Sequence, residues 1–401
     1  MKKTKALLVS LLALVACLAL AACGGGGEAE TPDNQDAEAT AGIPVEEIKV
    51  GVVHIGDPAD GTGYSYMHDQ GIVGMQEALG LTDDQIFRVL NVSDSDSNAI
   101  TTAIEDCIAQ ECNIIFTTSY GYMDPTEALA AEYPDIYFSH ATGYKSNESN
   151  FNNYFGRIYQ ARYLAGVAAG MKTESDKIGY VAAYGTELAE TCSGINAFAL
   201  GAQSVNPDAV VYVKSLNSWF DPANETAYAE ALIEAGCDVI TQHCDTANPQ
   251  IAAEKAGVFS IGYNSDMSGD APNANLTSAI WNWSVYYTTA VQAVIDGTWD
   301  ELGNYYGGIK EGFVDIAPLT SLCADGTQAR VDAVKELLMN DEWDVFTGYA
   351  LSFDDAGAVT VNEADLLDNE GNVIVAAGGE SVGDDVIKGS MNYFVKGVEL
   401  K

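Results

Sequence analysis

The sequence has 401 residues, 47% apolar and 19% charged, a balance that fits a folded globular chain long enough for two domains. Its formal net charge of −40 excludes nucleic acid and anionic lipid surfaces as partners of the folded body. The acidity says nothing about the charge of a ligand, because an acidic shell serves solubility.

Lys2, Lys3 and Lys5 precede an apolar run over 7–22 that only Ser10 interrupts. A basic head, an apolar stretch and small residues before a cut have the shape of a signal peptide, and residues 1–22 are assigned to one. The run is shorter than the roughly 20 apolar residues of a membrane span. It ends in Leu20-Ala21-Ala22-Cys23-Gly24, which resembles the lipobox of bacterial lipoproteins, where the cysteine thiol takes a diacylglycerol and the chain is cut just before it. That resemblance implies a lipid on Cys23, the extracytoplasmic face of the cell membrane, and contact with the membrane through the anchor only. Stable attachment then takes more than one acyl group. Residues 24–42 are four glycines and a stretch rich in Glu, Asp, Ala and Thr, without aromatic or large aliphatic side chains. They predict a disordered tether, assigned to 23–45.

From residue 46 strands and helices alternate. Strands are expected at 48–55, 86–92, 113–117 and 136–140, and helices at 64–79, 97–109 and 125–132. The helix at 97–109 carries Ile100, Ala103, Ile104 and Cys107 at helical spacing. The polar stretch 145–153 reads as a lobe boundary. Beyond it helices are expected at 157–171, 186–202, 223–235 and 249–256, with strands at 177–182, 209–214, 238–242 and 258–262. Such alternation means βαβ units and parallel sheets, here in two α/β lobes. Past residue 317 the pattern weakens to a helix at 329–339 and a small β element from 351–353 and 373–376. These last 80 or so residues are expected to decorate one lobe.

In open α/β sheets ligands bind beyond the carboxyl ends of the strands. Those ends are the loops 56–63, 119–124, 183–189, 215–222, 243–247 and 263–268. No Gly-x-Ser-x-Gly, phosphate-cradling loop or His-Glu-x-x-His occurs, so no enzyme, cofactor or metal is read from motifs. Gly61-Thr62-Gly63 lacks a third glycine and reads as a flexible ligand loop. His54, His68, His140 and His243 read as core or hydrogen-bonded residues, and Gln242-His243-Cys244-Asp245 lacks a second cluster with metal-ligand spacing. Cys17 leaves with the signal peptide. Cys107, Cys112, Cys192, Cys237, Cys244 and Cys323 remain, in a location that permits disulfides. The first two are five residues apart and Cys237 and Cys244 seven, but spacing leaves both pairing and free thiols open.

Aromatic residues collect at the strand ends: Tyr64, Tyr66, Tyr120, Tyr122, Trp219, Phe220, Trp281 and Trp283. Asp57, Asp60, Asp221, Asn264, Asp266 and Asn282 lie among them. As a set they suggest stacking walls with polar readers for a flat heteroaromatic ligand. Singly, each aromatic fits packing as well, and each Asp or Asn fits a turn or cap.

Gly63-Tyr64-Ser65-Tyr66-Met67-His68-Asp69-Gln70-Gly71 and Thr118-Ser119-Tyr120-Gly121-Tyr122-Met123-Asp124 resemble ligand loops of the basic membrane protein family of substrate-binding lipoproteins. His140-Ala141-Thr142-Gly143-Tyr144, Tyr154-Phe155-Gly156-Arg157-Ile158-Tyr159 and Asn217-Ser218-Trp219-Phe220-Asp221-Pro222 continue the match. Gly262-Tyr263-Asn264-Ser265-Asp266-Met267 and Trp281-Asn282-Trp283 complete it. The resemblance implies a type I periplasmic-binding-protein fold, with lobes assigned to 46–153 plus 281–300 and to 154–280 plus 301–401. It also implies delivery of purine bases or nucleosides to an ABC importer's permease and ATPase. The purine would lie between Tyr64 and Trp219, with Asp266 as the family's acid. The remaining ligand candidates are Asp60, Tyr66, Tyr120, Gly121, Tyr122, Asp124, Asn264 and Trp281.

Two departures bear on the ligand. The first loop has Tyr64 between Gly63 and Ser65 where nucleoside-binding members carry Ser-Phe-Asn, and Leu276-Thr277-Ser278 leads to Trp281 where they carry a ribose-contacting lysine. A tryptophan fills space a sugar needs and offers one N–H donor. In this the chain resembles the branch of the family taken to bind a free base such as adenine, which implies a base, with a nucleoside receptor or a ligand sensor without transport as alternatives. The anchor has a direct test. Cys23→Ser is expected to leave an unlipidated precursor, and normal processing with membrane retention would refute the lipobox reading.

Overall fold

The computed structural model describes residues 42–401. The signal peptide, Cys23 and most of the tether lie outside the described residues. The last residues assigned to the tether, 42–45, are docked: Ile43 N–H donates to the Val294 carbonyl (3.2 Å) in the last turn of the helix Trp283–Asp296.

Among the described residues the chain builds a six-stranded and a seven-stranded sheet. The first runs in the order Tyr305–Gly307, Phe151–Gly156, Tyr137–His140, Ile114–Thr117, Val50–Val53, Ile86–Val89, all neighbours parallel. The second runs Val314–Ile316, Asn275–Trp281, Phe259–Asn264, Val239–His243, Lys177–Ala182, Val210–Ser215, Val398–Leu400. It too is parallel, except that Val314–Ile316 lies antiparallel to its neighbour. Central strands such as Val50–Val53, Ile114–Thr117 and Val239–His243 are buried along their whole length, as sheets covered on both faces require.

The chain passes between the sheets three times among the described residues. Phe151–Gly156 belongs to the first sheet and feeds the helix Ile158–Lys172 of the second lobe. Asn275–Trp281 returns through the helix Trp283–Asp296, which packs on the helix Gly63–Leu79. Tyr305–Gly307 then leads back to Val314–Ile316. The passages are tied together: Arg157 N–H donates to the Gly307 carbonyl (2.7 Å) and Asn282 N–H to the Phe313 carbonyl (2.8 Å).

Sheet membership therefore runs to Gly156 and includes Tyr305–Gly307, past the expected divisions at 153 and 300. The asparagines that made 145–153 look like a linker are structural. Asn150 is buried, and its amide donates to the carbonyls of Ala130, Tyr133 and Ile136. Asn147 Oδ1 accepts from the backbone N–H groups of Ser149, Asn150 and Phe151. The C-terminal segment also pairs differently from expectation. Tyr349–Phe353 pairs with Val359–Glu363, and Val373–Val375 with Leu366–Leu367. Val398–Leu400 extends the edge of the second sheet.

Ile158–Lys172 is the most enclosed helix of the second lobe, buried from Ile158 to Gly170. It packs along the helix Ala189–Val205, and small residues let the two backbones touch. A Cβ on Gly201 would stand 2.1 Å from the Tyr163 carbonyl oxygen. Gly201→Ala is therefore expected to force the helices apart and cost about 1–3 kcal/mol, as overpacking does. Urea denaturation would show it as a lower midpoint at unchanged slope, and an unchanged midpoint would refute the contact.

Candidate ligand-binding cleft

The carboxyl ends of the two sheets face each other across the passages, and the loops leaving them line a small cavity of about 40 Å³. The first lobe contributes Ile55, Tyr64, Ser119, Tyr120 and Thr142, and the second Glu190, Trp219, Asp245 and Tyr263. The lobes touch at its edge. Thr62 and Ser265 hydroxyls are 3.0 Å apart, and Gly63 N–H donates to Ser265 Oγ (3.1 Å). Gly63 adopts φ +82°, and a Cβ there would lie 2.4 Å from the Asp245 carbonyl oxygen, so the approach needs glycine.

Tyr64 occupies the first turn of Gly63–Leu79 and meets His68 edge-on at 4.4 Å. His68 stacks on Trp283 (3.9 Å), and Trp283 stacks on Trp281 (4.5 Å). This aromatic pile joins the cavity to the passages between lobes. Burial, with His54 second, holds the His68 pKa well below its usual value, so the pile is uncharged at neutral pH. Burial likewise lifts the Tyr64 phenol well above its usual range and keeps it a hydrogen-bonding hydroxyl.

Two carboxyl groups face these aromatics. Glu190 lies in the first turn of Ala189–Val205, and burial, followed by Asp245, raises its pKa to about 8. Asp245 follows the strand Val239–His243, and burial, followed by Glu225, raises it to about 7. Asn264 Nδ2 donates to Asp245 Oδ1 (3.3 Å). His243 Nε2 lies 3.8 Å from Glu190 Oε1, but burial, with Arg162 second, keeps the imidazole neutral. The Arg162 guanidinium lies 3.8 Å over the Tyr263 ring and donates to the Gln242 carbonyl. Near neutral pH the pair can thus offer both O–H donors and carboxylate acceptors, beside aromatic walls.

Of the residues expected from sequence, Tyr64, Tyr120 and Trp219 line the cavity together. Gly121 borders a wider outer chamber with Phe220, and Asn264 reaches the cavity through Asp245. The others lie elsewhere. Asp60 ends an exposed 3₁₀ turn, Pro58–Asp60, and Tyr66 is half-buried outside the cavity lining. Tyr122 is in the first lobe's core with its hydroxyl on the Val92 carbonyl (2.6 Å). Asp124 is exposed and pairs with Lys145 (2.8 Å). Asp266 is exposed and accepts from Ser268 N–H. Trp281 is buried in the pile against Phe155 and Phe313 and adjoins the site through Tyr263. Sequence reasoning missed Glu190, which the expected helix start at 186 placed in the second turn. It also weighed Asp245 only as part of a metal motif. Among the described residues no group of three His, Cys, Asp or Glu could hold a metal ion.

Two parallel-sheet lobes meeting over a small cavity form a cleft of the size and lining that holds a small solute. The chain matches the Bmp family, described as ABC transporter substrate-binding protein PnrA-like, over residues 48–348, and it belongs to that family. It is 37% identical to a purine-binding protein of Brucella abortus (strain 2308), over 89% of this chain and 94% of that protein. It is 38% identical to a Haloferax volcanii protein named as the ABC transporter glucose-binding protein TsgA13, over 81% of this chain and 79% of that protein. An ABC transporter solute-binding protein from Conexibacter woesei shares the fold, with TM-score 0.61 at 21% identity, covering 74% of this chain and 98% of that one. The chain is thus an extracytoplasmic substrate-binding protein of an ABC transporter, a class that is typically non-enzymatic and works with permease and ATPase subunits. No helix among the described residues is long and apolar enough to cross a membrane.

The raised acids make the ligand-free protein pH-sensitive. Glu190 ionises near 4.5 when unfolded and about 8 when folded, and Asp245 near 3.8 and about 7. Unfolding between those values releases protons, so stability is full below the unfolded values and is lost as pH rises through the folded ones. The melting temperature is expected to fall from pH 5 to pH 8. Asp245→Asn should flatten the part of the slope below about 7 and Glu190→Gln the part up to about 8. Equal slopes in wild type and both variants would refute the assignment.

Proposed function

We propose that the ligand is a purine base of the adenine type, held between Tyr64 and Trp219 and read by Glu190 and Asp245. The observation that carries this reading is the pairing of aromatic walls from opposite lobes with two half-neutral acids in one cavity. A purine offers two π-faces, ring N–H and amino donors, and ring nitrogen acceptors. A carboxylate answers the donors, and a protonated carboxyl answers the acceptors. The cavity's volume of about 40 Å³, near three water-sized spheres, favours the smaller ligand. Similarity to a purine-binding relative over nearly its whole length supports the same class.

A second reading, a purine nucleoside, has its own observation. Chambers of about 500 and 490 Å³ open outward past Tyr120 and Glu190, with room for a sugar beside the base. In either case we propose a lipid on Cys23 as the attachment to the membrane.

Calorimetry with adenine, guanine, adenosine, guanosine and glucose decides between these. Adenine is expected to bind most tightly. Base–aromatic stacking is worth about 1–3 kcal/mol, so Trp219→Ala is expected to weaken it roughly tenfold to a hundredfold. Tighter adenosine binding would shift the assignment to nucleoside. Binding of glucose alone would overturn the purine class.

A further inference from the structure

The helix Ser97–Ala109 ends in a tight reversal. Glu111 N–H donates to the Ile108 carbonyl (2.9 Å), Cys112 N–H to the Cys107 carbonyl (3.1 Å), and Glu111 takes φ +61°. Asn113 N–H then joins the Lys49 carbonyl (2.8 Å), and the strand Ile114–Thr117 begins. Residue 112 is thereby folded back beside residue 107, the approach that a disulfide's Cα separation of roughly 4.4–6.8 Å requires. Both side chains are buried and point at one spot on the central strand. A Cβ placed on Gly51 would lie 3.0 Å from Cys107 Sγ and 3.2 Å from Cys112 Sγ. Both are free thiols in the structure, and the neighbouring Cys112, ahead of burial, raises the Cys107 thiol above its usual range.

The other cysteines do not meet in this way. Cys237 and Cys244 flank opposite ends of the five-residue strand Val239–His243, whose rise of about 3.3 Å per residue separates them. Cys192 Sγ donates to the Tyr393 carbonyl, and Cys323 Sγ to the Leu276 carbonyl.

We propose that Cys107 and Cys112 are oxidised to a disulfide once the chain is exported. The inference rests on the extracytoplasmic placement, where disulfides persist, and not on the identity of the ligand. The oxidant is a disulfide-bearing oxidoreductase or a low-molecular-weight disulfide. One cysteine thiolate attacks a sulfur of that disulfide, forming a mixed disulfide and releasing the oxidant's other thiolate. The second cysteine thiolate attacks the mixed disulfide at the protein sulfur and releases the remaining one. Two thiols of the protein are oxidised, one disulfide of the oxidant is reduced, and the two protons pass to the released thiolates. The exchange takes place while the helix end is still open during folding, because both thiols are sealed afterwards. The bond closes a six-residue loop at the amino end of Ile114–Thr117, the side of the sheet away from the cleft.

The segment 89–145 contains these two cysteines alone and no internal Lys or Arg, so trypsin releases both in one peptide. Full-length protein recovered from the exported pool is denatured with an alkylating agent and no reductant. The expected peptide is unalkylated and about 2 Da lighter than the dithiol, and it takes up two alkyl groups after reduction. Two alkyl groups before reduction, or a bond to any other cysteine, would overturn the proposal. Because the native bond is sealed, a second measurement compares melting of each protein as recovered with melting after it has been unfolded, reduced and refolded in dithiothreitol. The wild type is expected to lose roughly 2–6 °C, while the Cys107→Ala, Cys112→Ala double variant does not respond and both bind ligand equally. Equal response of the two proteins to reductant would likewise overturn it.

Discussion

The two backbone hydrogen bonds Arg157–Gly307 and Asn282–Phe313 fix side by side the places where the chain changes lobes. Everything about the cleft depends on that arrangement. Because the passages lie together at one edge of both sheets, the carboxyl ends of the strands face each other. The residues following Val50–Val53, Ile114–Thr117 and Tyr137–His140 then meet those following Val239–His243 and Phe259–Asn264. Backbone passages of this kind can flex as a hinge while each sheet stays rigid. The pile Tyr64–His68–Trp283–Trp281 runs from the cavity toward the passages, so a ligand against Tyr64 would bear on side chains that pack the hinge.

The cavity stores unfavourable electrostatics. Glu190 and Asp245 are half-buried in one cavity, and desolvation opposes the charge of each. Such an arrangement weakens the free protein at neutral pH and leaves hydrogen-bonding capacity that a ligand's N–H groups and ring nitrogens can use. The neutral His243 and His68 add no competing positive charge. Arg162, drawn over Tyr263 and onto a backbone carbonyl, is the buried cation nearest the pair among the described residues, and it lowers the Glu190 pKa without cancelling burial. In the proposed purine site, specificity would come from uncharged stacking surfaces and from the protonation state of two acids.

The C-terminal segment takes part in the same architecture. Val398–Leu400 covers the edge of Val210–Ser215, which would otherwise present unpaired backbone groups. Asp384, from the short helix Asp384–Gly389, receives Arg157 beside the first passage, and Asp385 and Lys388 reach an outer chamber of the cleft. The residues beyond the family match at 348 thus support the hinge and the mouth as well as one lobe.

The α/β class and the parallel sheets were legible in the sequence because they rest on local periodicity, and the ligand loops followed as the carboxyl ends of those strands. Apolar runs bounded by turns and helices of 3.6-residue spacing are written in adjacent residues. Aromatics at strand ends, together with the family resemblance, also singled out Tyr64, Tyr120 and Trp219, which the fold brings to one cavity. The sequence did not distinguish Tyr64 from Tyr66, or Tyr120 from Tyr122, because one or two residues along a helical turn point a side chain to a different face. Asp124 and Asp266 match motif positions, yet lie exposed against Lys145 and Ser268 N–H. Phe151–Gly156 was hidden by its asparagines, whose amides find carbonyl partners only when distant segments arrive: Asn152 Nδ2 on Gly303 (2.8 Å), for instance. Glu190 became a site residue only through the lobes' meeting. Burial and the approach of Asp245, 55 positions away in the chain, raise its pKa, and that is a property of two elements brought together and of neither alone.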